Sequence, residues 1–136
     1  MRFDALSGSG HAGSLDGTSA TAMSPTEAVL MALGACGAMD VASILRKMRH
    51  EPESHEVIVS GEQRPDHPRK FTSITVTHRV AGDVPEANLR RAVFLSSTRY
   101  CPVHAMLAPT VDITDRYEIW SNGRLVAEGT IDPAAE

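Results

Sequence analysis

Aromatic side chains are scarce: 3 Phe, 2 Tyr and 1 Trp in 136 residues. Aliphatic side chains must therefore fill the interior, and the stacking platforms that single-stranded nucleic acid needs are missing. Positive charge is not in excess either. With 13 Lys and Arg against 17 Asp and Glu, the net charge of −4 gives no electrostatic case for binding nucleic acid. There are only 2 cysteines, and no basic segment followed by an apolar one opens the chain, which predicts no secretory signal and a reducing cytoplasm. An unbroken apolar run of about 18 residues, the requirement for a membrane span, is also lacking, so no membrane is expected. A content of 42% hydrophobic residues is enough for the core of one domain, 1–136.

The rest of the chain is organised around Ser24 to His50, SPTEAVLMALGACGAMDVASILRKMRH. Ser24 is a good N-cap, Pro25 suits the first helical position, and Glu27 stands where its carboxylate reaches back to the Ser24 N–H, completing a capping box. From Ala28 to Ala42 only Asp40 is charged and apolar or small side chains lie on every side, as in a helix surrounded by protein. Arg46, Lys47 and Arg49 complement the C-terminal end of the helix dipole. Gly34 and Gly37 flank Cys36, and each glycine costs up to about 1 kcal/mol in a helix, so a backbone or a ligand must need room beside the sulfur. At 1.5 Å per residue the stretch spans about 40 Å, longer than a compact domain of this size, with its radius of gyration of about 15 Å, is wide. A homodimer that buries two such helices together through a large apolar interface is therefore expected.

Before this helix, the Gly- and Ser-rich residues 1–23 predict at most two strands, with turns at Ser9-Gly10 and at Asp16-Gly17, the latter a candidate hairpin. After it, Glu56–Gly61 reads as a strand. Phe71–Val80 places Ile74, Val76, His78 and Val80 on one face and Thr75, Thr77 and Arg79 on the other, the period of a half-buried strand. His78 is then either a core-edge histidine with one hydrogen bond or a ligand or acid–base group. Asp83 with Glu86 three residues on repeats the capping pattern for a second, amphipathic helix to about Arg99. A short helix over PVHAML, a strand over Val111–Trp120, an Asn122-Gly123 hairpin and a strand over Arg124–Glu128 complete an α+β chain with helices on antiparallel sheet.

Three readings of Cys36 and Cys101 compete. Both can be small hydrophobes packed in the interior. Cys101-x-x-His104 has a spacing compatible with zinc, but no second CxxC or CxxH supplies the four protein ligands usual for a structural site. A redox pair is the third, in which one thiolate becomes a sulfenic acid and the other condenses with it to a disulfide.

SPTEAVLMALGAC followed by DVASILRKMR, together with YCPVHAML, resembles the OsmC/Ohr family of osmotically inducible and organic-hydroperoxide-resistance proteins, over about Phe3 to Ile119. The resemblance implies antiparallel sheets wrapped around long central helices in an intertwined homodimer. It also implies a peroxidatic cysteine at Cys36, a resolving one at Cys101, organic hydroperoxide substrates, a dithiol or lipoyl-type reductant, and neither metal nor organic cofactor. In the peroxidase members an arginine from the N-terminal hairpin, held by a glutamate at the head of the long helix, sits near the reactive sulfur. Here Arg2 is the only arginine before Arg46, and the glutamate position falls on Thr26 with Glu27 beside it, which places the chain among the broader OsmC-like proteins. Glu27 or a nearby histidine is the expected proton donor to the leaving alkoxide. Gly34 and Gly37 would leave room at the sulfur, with Ala35, Met39 and Met106 lining an apolar pocket. The alternative is a non-catalytic protein that binds a small apolar ligand in the dimer cleft.

Overall fold

The computed structural model describes residues 1–135. The chain divides into two compact units, Met1–Ala32 and Leu33–Glu136.

In the first unit, β1 (Arg2–Leu6) and β2 (Ala12–Asp16) form an antiparallel hairpin. Its turn lies around Ser9-Gly10, where Gly10 adopts a φ of 87°. The hairpin expected at Asp16-Gly17 does not form. The Asp16 carboxylate instead accepts the backbone N–H and hydroxyl of both Thr18 and Thr21. These bonds, the Thr18 N–H first, hold its carboxyl well below the usual range. Helix α1 runs Pro25–Lys47, and its start is the capping box read from the sequence: the Ser24 N–H donates to Glu27 Oε2 at 2.6 Å, and the Glu27 N–H to Ser24 Oγ at 3.2 Å.

In the second unit α1 buries Leu33, Gly34, Gly37, Val41 and Leu45. It stops before His50 because Arg49 turns left-handed, with a φ of 64°. The Arg49 and His50 N–H groups then bond to the Arg46 and Leu45 carbonyls, a Schellman closure. By length and composition α1 would satisfy a membrane-span criterion, because such a span tolerates the single Asp40. In this fold Val41 and Leu45 are instead fully buried in the core.

The sheet has the order β3-β4-β5-β6, built from β3 (Ser54–Gln63), β4 (Phe71–Ala81), β5 (Asp112–Ser121) and β6 (Arg124–Thr130). The α+β class holds, but the sheet is not antiparallel throughout. β4 and β5 run parallel, Ile74 beside Ile113 and Val80 beside Ile119. A parallel pair needs a crossover of a dozen residues or more. Here α2 (Glu86–Leu95), a five-residue π turn (Ser96–Tyr100) and α3 (Pro102–Leu107) supply it. The second helix also starts later than the Asp83 pattern predicts. Pro85 keeps Val84 out of the helical region and stands extended before Glu86, with no side-chain cap. The Glu86 carboxylate accepts the Tyr117 hydroxyl instead, at 2.8 Å. Asn122 and Gly123 make the β5–β6 turn with φ of 51° and 74°, both in the left-handed region such a turn demands.

The alternation read in β4 is realised: Ile74, Val76, His78 and Val80 are all buried. Val41 and Leu45 of α1, Val80 and Ile119 of the sheet, and Leu89, Ala92 and Val93 of α2 form one apolar cluster. On the same sheet face Gly129 stands opposite Tyr117, where an added Cβ would lie 2.6 Å from the ring carbon Cζ.

Candidate active site

Cys36 and Asp40 are one turn apart on α1 and share a face. Between them, Gly37 faces the sheet: a Cβ there would lie 3.4 Å from two atoms of the His78 ring and 3.8 Å from Ser96 Oγ. Gly34 serves packing, since its Cβ would lie 2.7 Å from a Val59 methyl on β3. Close packing of α1 against β3 thus accounts for Gly34, whereas an added Cβ at Gly37 would make only ordinary van der Waals contact with β4.

The wide turn after α2 brings in the second thiol. Ser96 is buried, and its hydroxyl donates to Asp40 Oδ2 at 3.0 Å. Its carbonyl accepts the Cys101 N–H at 2.9 Å, five residues on, which closes the turn. Cys101 caps α3, its sulfur accepting the His104 N–H at 3.3 Å, and Pro102 takes the first helical position. Sγ of Cys36, Sγ of Cys101 and a carboxylate oxygen of Asp40 all lie within 4.8 Å of one another. Both cysteines are free, Cys36 half-buried and Cys101 buried. Burial, followed by a hydrogen bond with Cys36, pushes the Cys101 thiol up to about 11. At neutral pH the Cys101 thiol is thus protonated.

A cavity of about 10 Å³ lies beside Cys101, bordered by Gly37, His78, Ser96, His104 and Asp115 among others. That is room for about one water, and the lining is polar enough to hold it. His78 Nδ1 is 3.1 Å from His55 Nε2. Burial, then the neighbouring His55, pushes the His78 imidazole down to about 3. His104 Nε2 is paired with Asp115 Oδ2 at 2.9 Å. The ring that the CxxH spacing offered to a metal is therefore engaged elsewhere, and three donors converge where structural zinc commonly takes four.

Of the residues read as site candidates, Cys36, Cys101 and Gly37 come together and Gly34 packs on β3. Met39 and Met106 are 71% and 70% exposed. Glu27 belongs to the first unit, where its carboxylate also accepts the Ser19 hydroxyl. The Ser24 N–H, first, and the Ser19 hydroxyl lower its pKa. Sequence reasoning did not reach Asp40 and Ser96 as site residues. The available signal was a lone carboxylate in an apolar stretch, four residues after a cysteine.

The chain matches a family model described as OsmC-like protein over residues 16–115. It belongs to the OsmC-like family. The resemblance carried by the two cysteine motifs is thereby confirmed. Among OsmC-like relatives, the Escherichia coli K12 protein YhfA is 46% identical over 121 residues, covering 88% of this chain and 90% of YhfA. A hypothetical protein of Aquifex aeolicus VF5, solved by crystallography, superposes with a TM-score of 0.75 at 28% identity, covering 90% of this chain and 96% of that one. An organic hydroperoxide resistance protein OsmC of Legionella pneumophila gives a TM-score of 0.61 over 88% and 94% of the two chains. At 12% identity that likeness shows the OsmC-like fold alone.

Proposed function

We propose that this OsmC-like protein is a thiol-dependent peroxidase that reduces organic hydroperoxides through Cys36 and Cys101. The observation that carries the reading is the contact of a half-buried thiol with a buried, protonated one, two free sulfurs in reach of a common carboxylate oxygen. The Cys36 thiolate attacks the terminal peroxide oxygen. The O–O bond breaks, Cys36 keeps the transferred OH as a sulfenic acid, and the alkoxide leaves and takes a proton from solvent to give an alcohol. Cys101 then displaces hydroxide from the sulfenic sulfur, forming the disulfide and water. An external dithiol, of lipoyl or similar class, reduces the disulfide and is itself oxidised. Glu27, held ionised by its cap, is better suited to orienting a cation than to donating the alkoxide proton. The apolar tail of the substrate is assigned to exposed Met39, three positions from Cys36, and to Met106, since the cavity beside Cys101 has room only for water. Free thiols fit a reducing compartment such as the cytoplasm.

The test is consumption of a tertiary alkyl hydroperoxide with a dithiol present, hydrogen peroxide run in parallel, and thiols counted. Turnover, with two thiols lost per chain in a single treatment without reductant, is expected. Both thiols surviving excess peroxide would remove the peroxidase and leave ligand binding between chains as the account.

The reading includes a homodimer. Val29, Met31 and Met39 leave apolar side chains of α1 36%, 57% and 71% exposed, more than a lone soluble chain gains by leaving in water. Sedimentation equilibrium should give the mass of two chains at micromolar concentration, and the mass of one chain would remove this part of the reading.

A further inference from the structure

Closing a disulfide between these sulfurs needs a proton acceptor, because Cys101 attacks as a thiolate. With its thiol held near 11, only about one molecule in ten thousand is ionised at neutral pH without help. Among the described residues four groups around the sulfurs are basic in kind, and of these Asp115 is engaged by the His104 ring. His78 is neutral but a poor base, its proton affinity depressed by burial and its Nδ1 engaged with His55. His104 turns its ring to Asp115, and what it presents to Cys101 is a backbone N–H, a donor. Asp40 remains, with a carboxylate oxygen within 4.8 Å of both sulfurs and an anchor on Ser96.

We infer that Asp40 is the catalytic base of the resolving step, taking the proton from Cys101 Sγ as that sulfur attacks Cys36 Sγ. The inference rests on the redox pair proposed above. From the sulfenic acid, the Cys101 S–H and Cys36 S–OH bonds break and the S–S bond forms. The proton passes through the Asp40 carboxylate to the departing hydroxide, which leaves as water. From a mixed disulfide on Cys36 the same attack expels the other thiolate, and Asp40 gives its proton to solvent. Ser96 is a positioning residue: its hydroxyl holds Oδ2 and fixes the carboxylate beside the sulfurs. Burial, not the carboxylate, keeps the second thiol protonated until it is called on.

Dithiodipyridine tests this without relying on peroxide chemistry. With one equivalent per chain, Cys36 releases a first pyridinethione and Cys101 a second as the internal disulfide closes. Asp40→Asn should keep the first release and slow the second by about 100-fold at neutral pH, the low end of general-base effects. The slowed phase should regain speed as alkali ionises Cys101 directly. A second phase at the wild-type rate in Asp40→Asn overturns the inference, as does a wild-type chain with no second phase. If Asp40→Asn does not fold, Ser96→Ala, which keeps the carboxylate and frees it, should slow the second phase several-fold, and an unchanged rate again overturns the inference. A wild-type chain that closes the disulfide from dithiodipyridine yet consumes no hydroperoxide would refute the peroxidase alone and leave the Asp40 assignment to stand on the second phase.

Discussion

Cys36→Ser should bring hydroperoxide consumption down to the background rate, whereas Cys101→Ser should leave a single oxidation per chain that stops at sulfenic acid. The asymmetry follows from burial and proton placement. Cys36 is half-buried and Cys101 buried, and the Cys101 thiol is pushed up to about 11 by that burial and by its bond to Cys36. The thiolate is the nucleophile, so first attack belongs to Cys36. Without Cys101 the sulfenic acid has no internal partner. Dimedone should then trap about one equivalent on Cys101→Ser and almost none on the wild type, while mass spectrometry of the wild type shows the loss of two hydrogens. Equal turnover by either variant would refute the division of roles. Neither substitution removes much apolar area, so loss of activity with an unchanged urea midpoint separates chemistry from folding.

Stability should fall steeply as pH drops below about 6.5, well before most carboxylates titrate. His78 is 2% exposed, and its folded pKa is pushed down from 6.5 to about 3, first by burial and then by His55. The unfolded chain binds a proton that the folded chain refuses between these two values. The contribution is therefore fully present above about 6.5 and lost toward about 3, at about 1.4 kcal/mol per pH unit. His55, half-buried and also lowered by desolvation, adds the same sign. Urea unfolding should show a loss of about 1.5 kcal/mol between pH 6.5 and pH 5, since the slope reaches its full value only below the unfolded pKa. His78→Gln, which does not titrate, should flatten most of it. A stability independent of pH over that interval in the wild type would contradict the burial of this imidazole as a neutral group.

Locally specified features were legible from the residues. The α1 cap needs only Ser24 and Glu27, the β4 face only a period of two, and the last hairpin only Asn122 and Gly123. Features that depend on distant partners were not. Asp83 and Glu86 carry the letters of a capping box, yet Pro85 blocks it and Tyr117, from another strand, takes the Glu86 carboxylate. The parallel pairing of β4 with β5 follows from how the crossover helices pack, which no local pattern encodes. In the site, the rarity of cysteine pointed to Cys36 and Cys101. The meaning of Asp40 depends on Ser96 and Cys101, far along the chain, and so stayed hidden behind its reading as a stray charge in an apolar helix.

The π turn Ser96–Tyr100 makes chain length itself a requirement of the site. One residue of an α-helix advances the chain by about 100°, so tightening this turn by deleting one residue would swing Cys101 around the axis and away from Cys36 while every side chain of the pair remained in the sequence. Thr98 bonds to the Phe94 carbonyl and not to a sulfur, yet the number of residues in the turn is what aims the second thiol. Substitutions within the turn should be tolerated where a one-residue gap is not, so a relative that keeps both cysteines but is shorter here would have lost their meeting.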